Sequence, residues 1–138
     1  MEIISATILD LGALRKLEKE SFDRDAWPMI DLIAVLTFSN VVRLKAVENG
    51  SMVGFIAGDP RLRDGTIAVD SNFRRRGIGT ALLHACESQL GVPRSRLTVR
   101  TSNQGAITLY EKEGYRTIDV WKAYYSDGED AIVMEKVL

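Results

Sequence analysis

One cysteine, Cys86, stands in the 138 residues, so no disulfide can close within the chain. A reduced, cytoplasmic setting is the expectation. With Cys86 and a lone histidine, His84, as the only soft ligands, a structural zinc site is not expected, nor any other metal. Long apolar runs are also missing. The longest, Leu32 to Leu36, falls far short of the roughly 20 residues of a membrane-spanning helix, so no membrane partner is expected. The opening Met1-Glu2-Ile3-Ile4 has no basic region and no long apolar stretch, so a signal peptide is not expected. Net charge is only -1, from 18 basic and 19 acidic residues, which argues against nucleic acid as the main partner. Repeats, linkers and low-complexity tracts are absent. What remains is an ordinary globular balance, 46% hydrophobic and 27% charged, in a chain of single-domain size (1–138) that can bury a core without staples.

The pattern of residues predicts eleven elements. Glu2–Thr7 reads as a strand. Asp10 is placed to cap a helix carrying Leu11, Leu14 and Leu17. Trp27-Pro28 opens a second, very apolar helix through Leu32, Ile33, Val35 and Leu36. Strands Val41–Val47 and Met52–Ala57 flank Asn49-Gly50, a two-residue hairpin turn. A short strand, Thr66–Val69, precedes a helix from Gly77 to Leu90, then strand Leu97–Arg100. Asn103 caps a helix that Gly114 terminates, and Tyr115–Ala123 and Ala131–Val137 are strands joined around Asp127-Gly128. Strands alternating with helices, plus two hairpins, predict an α/β fold with a mixed sheet and helices on both faces.

The stretch from Val69 to Leu83 carries the most chemistry. Apolar residues at Ile78, Leu82, Ala85, Cys86 and Leu90 keep helical spacing. The first turn of such a helix has amide N–H groups without helical partners and the positive end of the dipole. Gly77 and Gly79 let a ligand approach those amides, and Arg74, Arg75 and Arg76 stand just before them. Together they predict a site for a phosphate-bearing ligand. A dinucleotide fingerprint would need glycine at 82, where Leu82 stands. A nucleoside-triphosphate loop would need a Gly-Lys-Ser/Thr ending, which is absent. A solvated arginine run before an ordinary helix is the plain alternative, but glycine at both 77 and 79 is costly where a helix starts.

Arg74-x-x-Gly77-x-Gly79 resembles the Gln/Arg-x-x-Gly-x-Gly/Ala signature of the GNAT acyltransferase superfamily. Leu97-Thr98-Val99-Arg100-Thr101-Ser102-Asn103, with Ala106 to Tyr115, is similar to that superfamily's next strand and helix. Tyr124-Tyr125-Ser126-Asp127-Gly128-Glu129-Asp130-Ala131-Ile132-Val133-Met134 looks like the C-terminal hairpin of its ribosomal-protein-alanine N-acetyltransferase branch. The resemblance implies the GNAT fold, in the order of elements given above, and acetyl-CoA as acetyl donor. It implies the pyrophosphate on the backbone of residues 75–80, including Ile78 and Thr80. It implies the pantetheine arm along Ile67-Ala68-Val69, and a cleft where strands splay after Val69 and Val99. Asn103 would touch that arm; as read from the residues alone it is a helix cap, and the two roles are compatible.

Tyr110 would stand near the thioester sulphur as general acid, where spacing alone gives a core tyrosine. A phenol of pKa about 10 stays protonated at neutral pH and can donate. Thr98 departs from the branch, which carries a glutamate there as general base. Three readings stay open: water passes the proton to Glu20, Asp23 or Asp25; or the amine arrives neutral; or the protein binds acetyl-CoA with little turnover. On the acceptor side the resemblance implies Asp25 and Trp27 in one wall, and a tyrosine at 124 or 125 holding an incoming peptide. Adjacent tyrosines in a strand face opposite sides, so one of the pair would pack. The expected acceptor is the N-terminal amine of a protein or peptide; a small amine is the other enzymatic reading, and a catalytically weak acetyl-CoA-binding module the non-enzymatic one.

Overall fold

The computed structural model describes residues 1–22, 29–59, 64–69, 77–125 and 127–138, with backbone alone for 21–22, 30–31, 59 and 64–69. All eleven expected elements are found, in the expected order: β1 Glu2–Ser5, α1 Leu11–Phe22, α2 Met29–Thr37, β2 Val42–Glu48, β3 Ser51–Asp59, β4 Asp64–Val69, α3 Ile78–Leu90, β5 Arg94–Arg100, α4 Gln104–Lys112, β6 Arg116–Trp121 and β7 Ala131–Val137. Among the described residues the strands form two antiparallel sheets, β1-β2-β3-β4 and β5-β7-β6. The chain divides into two compact units, Met1–Gly91 and Val92–Leu138. Among the described residues no helix is long and apolar enough to cross a membrane.

In the first unit β3 is the organising strand. Val53, Phe55, Ile56 and Ala57 are all buried, so both faces of the strand are covered. On one face, Phe55 and Ala57 pack with Leu14 and Leu17 of α1 and Leu32 and Leu36 of α2. The other face carries Ile56, paired with buried Leu44, and Gly54, paired with buried Ala46. There α3 lies so close that a Cβ on Gly58 would stand 3.2 Å from Leu90 Cδ2 and 3.3 Å from Cys86 Sγ. The buried side of α3 is Ile78, Leu82, Leu83 and Cys86. The apolar spacing foretold this face except Leu83; His84 is exposed.

Two local corrections follow from side-chain chemistry. Thr7, and not Asp10, is the capping residue. Its Oγ1 accepts from the Leu9 amide at 3.3 Å, while Asp10 Oδ2 accepts from the Thr7 amide at 2.8 Å. The pair forms a capping box around a 3-10 turn, Ile8–Asp10, that leads into α1. Lys45 Nζ then donates to Asp10 Oδ1 at 2.7 Å, tying that turn to β2. The second correction is to β5, which starts at Arg94, three residues before the expected Leu97. Its charged start is held in the ladder because Arg94 and Arg96 both donate to Glu135 of β7. The Asn49-Gly50 turn is as expected, with φ of 50° and 78°, the double positive φ of a type I′ hairpin.

In the second unit β7 lies between β5 and β6, and its Ala131, Val133 and Met134 are fully buried. α4 buries Ile107 and Tyr110. Gly114, at φ 95°, turns the chain so that Tyr115 follows at 2% exposure. The Tyr115 hydroxyl donates to Ser95 Oγ at 2.8 Å, and its ring meets the Tyr110 ring edge-on at 5.7 Å.

Candidate functional site

The first unit offers a helix start led in by glycine. Gly77 precedes α3 in the left-handed region, φ 77°, and among the described residues no side chain caps the turn. A Cβ at Gly77 would meet no atom of the described residues within 4 Å. The first helical bond is Ala81 N–H to Gly77 O, 3.0 Å. The amides of Ile78, Gly79 and Thr80 come before it, where a helix has donors without helical acceptors. This is a fitting place for an anionic group. Ile67, Ala68 and Val69 lie at the end of β4, paired with Ile56, Phe55 and Gly54 of β3. Arg74, Arg75, Arg76, Asp23, Asp25 and Trp27 lie outside the described residues. Glu20, on α1, is exposed.

The second unit gathers the remaining candidates. Asn103 caps α4 by accepting from the Ala106 amide at 3.2 Å. Tyr110, one turn and more along that helix, is 6% exposed. Burial pushes its phenol above the ordinary value of 10, and the Tyr125 phenol adds to the shift. Tyr110 is therefore a protonated donor throughout the physiological range. Thr98 is half-buried in the middle of β5, opposite Val133. Strand alternation puts it on the same face as Arg96 and Arg100.

The two adjacent tyrosines have separate surroundings. Tyr124 is 50% exposed, with its ring 5.4 Å from that of Trp121. Tyr125 lies under the Arg100 guanidinium, 4.2 Å from ring centroid to Cζ. They belong to the loop between β6 and β7, and their rings meet edge-on at 5.1 Å. Of the pair, Tyr124 is the more exposed, and Tyr125 is the one packed against Arg100.

Sequence reasoning missed the acids that hold this loop. Asp127-Gly128-Glu129-Asp130 reads as a turn, and Gly128, at φ 89°, serves as one. Each acid, however, has a separate anchoring task. Asp130 accepts from the Ala123 amide at 2.9 Å and from Lys122 Nζ at 3.2 Å, beside an Ala123 backbone at φ 49°. Asp127 accepts from Arg100 at 3.0 Å. Glu129 accepts from Arg100 at 2.6 Å, from Thr101 Oγ1 at 3.0 Å and from the Ser102 amide at 2.7 Å. Hydrogen bonds from Ser102 and Arg100, with a smaller one from Thr101, outweigh desolvation and hold the Glu129 carboxyl at about 2. The available signal was a single arginine, Arg100, ending a strand ahead of four turn residues of which three are acidic.

Comparison with known proteins places these elements in a family. Residues 41–117 match the acetyltransferase (GNAT) domain family. The chain belongs to the GNAT acetyltransferase family. An uncharacterized N-acetyltransferase of Methanocaldococcus jannaschii is 34% identical over 134 residues, 92% of this chain and 85% of the relative. An N-alpha-acetyltransferase of Saccharolobus solfataricus is 38% identical over 106 residues, 73% of this chain. The match spans 56% of that relative's length. The crystal structure of the ribosomal-protein-S18-alanine N-acetyltransferase from Escherichia coli superposes with a TM-score of 0.88 at 31% identity, covering 99% of this chain and 92% of that one. The expected GNAT fold is thereby established.

Glu129 gives the site a pH signature. Its carboxyl is depressed from an ordinary 4.5 to about 2, so its contribution to stability is complete above 4.5 and is lost as pH falls toward 2. Thermal melting across pH 2 to 5 should show a fall in Tm in the parent that is shallower in Glu129→Gln. Parallel curves would show that the carboxylate's bonds do not persist in solution.

Proposed function

We propose that residues 1–138 act as one N-acetyltransferase domain that moves an acetyl group from acetyl-CoA to the N-terminal α-amine of a protein or peptide. The observation that carries the donor half is the start of α3, where a left-handed Gly77 stands before three amides, those of residues 78–80, that precede the first helical bond. A pyrophosphate there accepts from the amides of residues 78–80 and meets the positive end of the helix dipole. Arg74, Arg75 and Arg76 add charge-assisted bonds, and Ile67-Ala68-Val69 offers its backbone to the pantetheine arm. Asn103 contacts that arm through its amide group while its Oδ1 caps α4.

The reaction is a direct displacement. The neutral amine's lone pair attacks the thioester carbonyl carbon, the C–N bond forms, the C–S bond breaks with its electron pair leaving on sulphur as CoA thiolate, and the proton released by the new amide nitrogen passes to water. Tyr110 donates a hydrogen bond to the sulphur as it gains charge. A thiol pKa of about 8.5 lies below the phenol's ordinary 10, and burial widens that gap. The phenol therefore steadies the thiolate as a donor and keeps its own proton.

The missing carboxylate at position 98 bears on the acceptor. An α-amine of pKa about 7.7–8.0 is roughly 10–20% neutral at pH 7, whereas a lysine of pKa about 10.4 is about 0.04% neutral. A site with threonine where a base would stand therefore favours protein N-termini over lysine side chains. Likeness to an N-alpha-acetyltransferase and to a ribosomal-protein-S18-alanine N-acetyltransferase supports the same acceptor class. Half-exposed Tyr124, with Asp25 and Trp27, is assigned to the acceptor wall. The deciding experiment measures release of free CoA thiol with peptides bearing a free N-terminus, lysine peptides with a blocked N-terminus, and small amines. Turnover confined to small amines would overturn the acceptor, and binding without turnover would leave a CoA-binding module.

Three variants test the parts. Gly77→Val places a β-branched residue at φ 77°, where even an ordinary side chain costs about 1–2 kcal/mol, directly before the first-turn amides. Calorimetry should find acetyl-CoA binding lost while circular dichroism keeps the fold; undiminished affinity removes the donor site. Tyr110→Phe should lower kcat by about 10- to 10³-fold with acetyl-CoA affinity unchanged, since the hydroxyl acts only as charge develops on sulphur. An unchanged kcat would make Tyr110 purely structural. The parent's activity should climb with pH along a pKa near 8, that of the acceptor amine. Thr98→Glu, once melting shows it folded, should raise activity most at pH 7 and little above pH 9. The same pH–rate curve in both proteins would place the base elsewhere, with Glu20, Asp23 and Asp25 the first to test.

A further inference from the structure

We infer that Glu129 is a positioning residue for the acceptor: it fastens the tyrosine-bearing loop between β6 and β7 to the turn that starts α4, so that the two keep one fixed relation. The inference rests on the acetyl-transfer reading above for its functional meaning, but its geometry stands by itself. Glu129 reaches in two directions. Its main-chain carbonyl accepts from the Tyr125 amide at 3.2 Å. Its carboxylate receives Arg100 on Oε1 at 2.6 Å, and Thr101 Oγ1 and the Ser102 amide on Oε2 at 3.0 and 2.7 Å. One residue thus grips the loop with its backbone and the turn with its side chain.

The turn it holds is the one that sets α4. Asn103, directly after Ser102, donates its amide to the Arg100 carbonyl at 3.0 Å and caps the helix through Oδ1. Tyr110 lies on that helix, so a shift of residues 101–102 moves the cap and the phenol together. On the loop side, Asp127 Oδ1 accepts from the Glu129 amide at 3.1 Å, and the Gly128 amide donates to Tyr125 O at 2.9 Å. Tyr125 is therefore tied to Gly128 and Glu129 by two backbone bonds, and Asp127 to Glu129 by a third bond, on its carboxylate. Arg100 joins the two sides again, with its guanidinium on Asp127, on Glu129 and over the Tyr125 ring. An acceptor seated against Tyr124 must meet a thioester placed by Asn103 and Tyr110, and a misplacement of 1 Å is costly in such a pairing. Charge-assisted bonds are the strong and short ones, which suits a joint that has to hold one distance.

The test uses the full chain with Glu129→Gln and, as a gentler variant, Thr101→Val, which removes one donor and keeps the side-chain shape. Amide hydrogen exchange by NMR reads the joint directly. The Tyr125 amide bonds to a main-chain carbonyl that neither substitution alters, so it loses protection only if the carboxylate holds the loop. Protection at Tyr125 and Ser102 should fall together, about tenfold in Glu129→Gln and less in Thr101→Val. Steady-state kinetics with an N-terminal peptide should then show the acceptor KM raised about tenfold in Glu129→Gln, with acetyl-CoA affinity by calorimetry unchanged. Unaltered exchange at Tyr125 overturns the joint. Altered exchange with an unmoved acceptor KM, or with an equal loss of acetyl-CoA affinity, overturns its positioning role. A parent protein that acetylates no peptide sinks the acceptor reading itself, and the exchange result then still decides whether the joint exists.

Discussion

Burial of β3 on both faces is the constraint from which the first unit follows. A strand with Val53, Phe55, Ile56 and Ala57 all removed from water has to be covered twice. α1 and α2 cover the Phe55 side, and α3 covers the Ile56 side. The second covering is possible at close range only because Gly58 has no side chain between β3 and the Cys86–Leu90 turn of α3. Since β4 is the neighbour of β3, the helix that follows it is laid across the same sheet with its N-terminal amides at one end of its apolar contact. The position of the α3 N-terminus is thus a by-product of core packing. The apolar stripe of α3 fixes the axis, and a left-handed glycine leads the chain into the helix.

Much of this was legible from spacing. Strands and helices came from period and from punctuation, and their order was right throughout. Asn49-Gly50, Gly77, Asn103 and Gly114 were legible because each makes a local conformation that few other residues make at low cost. Failures came where the deciding partner is distant in sequence. Arg94–Arg96 looks too charged to begin a strand until Glu135 is opposite it, some forty residues later. Thr7 was overlooked because Asp10 is also a good capping residue, and only the structure shows the two sharing the work with Lys45. The acids at 127, 129 and 130 are turn formers by composition. Their bonds to Arg100, Thr101 and Ser102 cross 27 to 29 residues for Glu129 and Asp127, a reach no local pattern encodes.

The two units divide the electrostatic labour. The first presents amide donors at a helix start and is suited to negative charge. The second pairs its strand arginines internally: Arg100 is committed to Asp127, Glu129 and Tyr125, and Arg94 and Arg96 to Glu135. Beside Tyr124 the surface mixes the exposed Trp121 ring with charge: Lys122, with 83% of its side chain exposed, pairs with Asp130 at 3.2 Å, and Asp119 accepts from the Trp121 indole.

Cys86 shows what a missing side chain can protect. Pressed toward Gly58 and buried at 4% exposure, its thiol is pushed up to about 12, by desolvation first and Glu87 second. At neutral pH only about one molecule in 10⁵ then carries the thiolate, the form that attacks electrophiles. A protein that handles activated acyl groups carries a standing risk of acylating itself on sulphur. Burial beside Gly58 keeps the one cysteine protonated and so withholds from the acyl group a resting place on the protein's own sulphur.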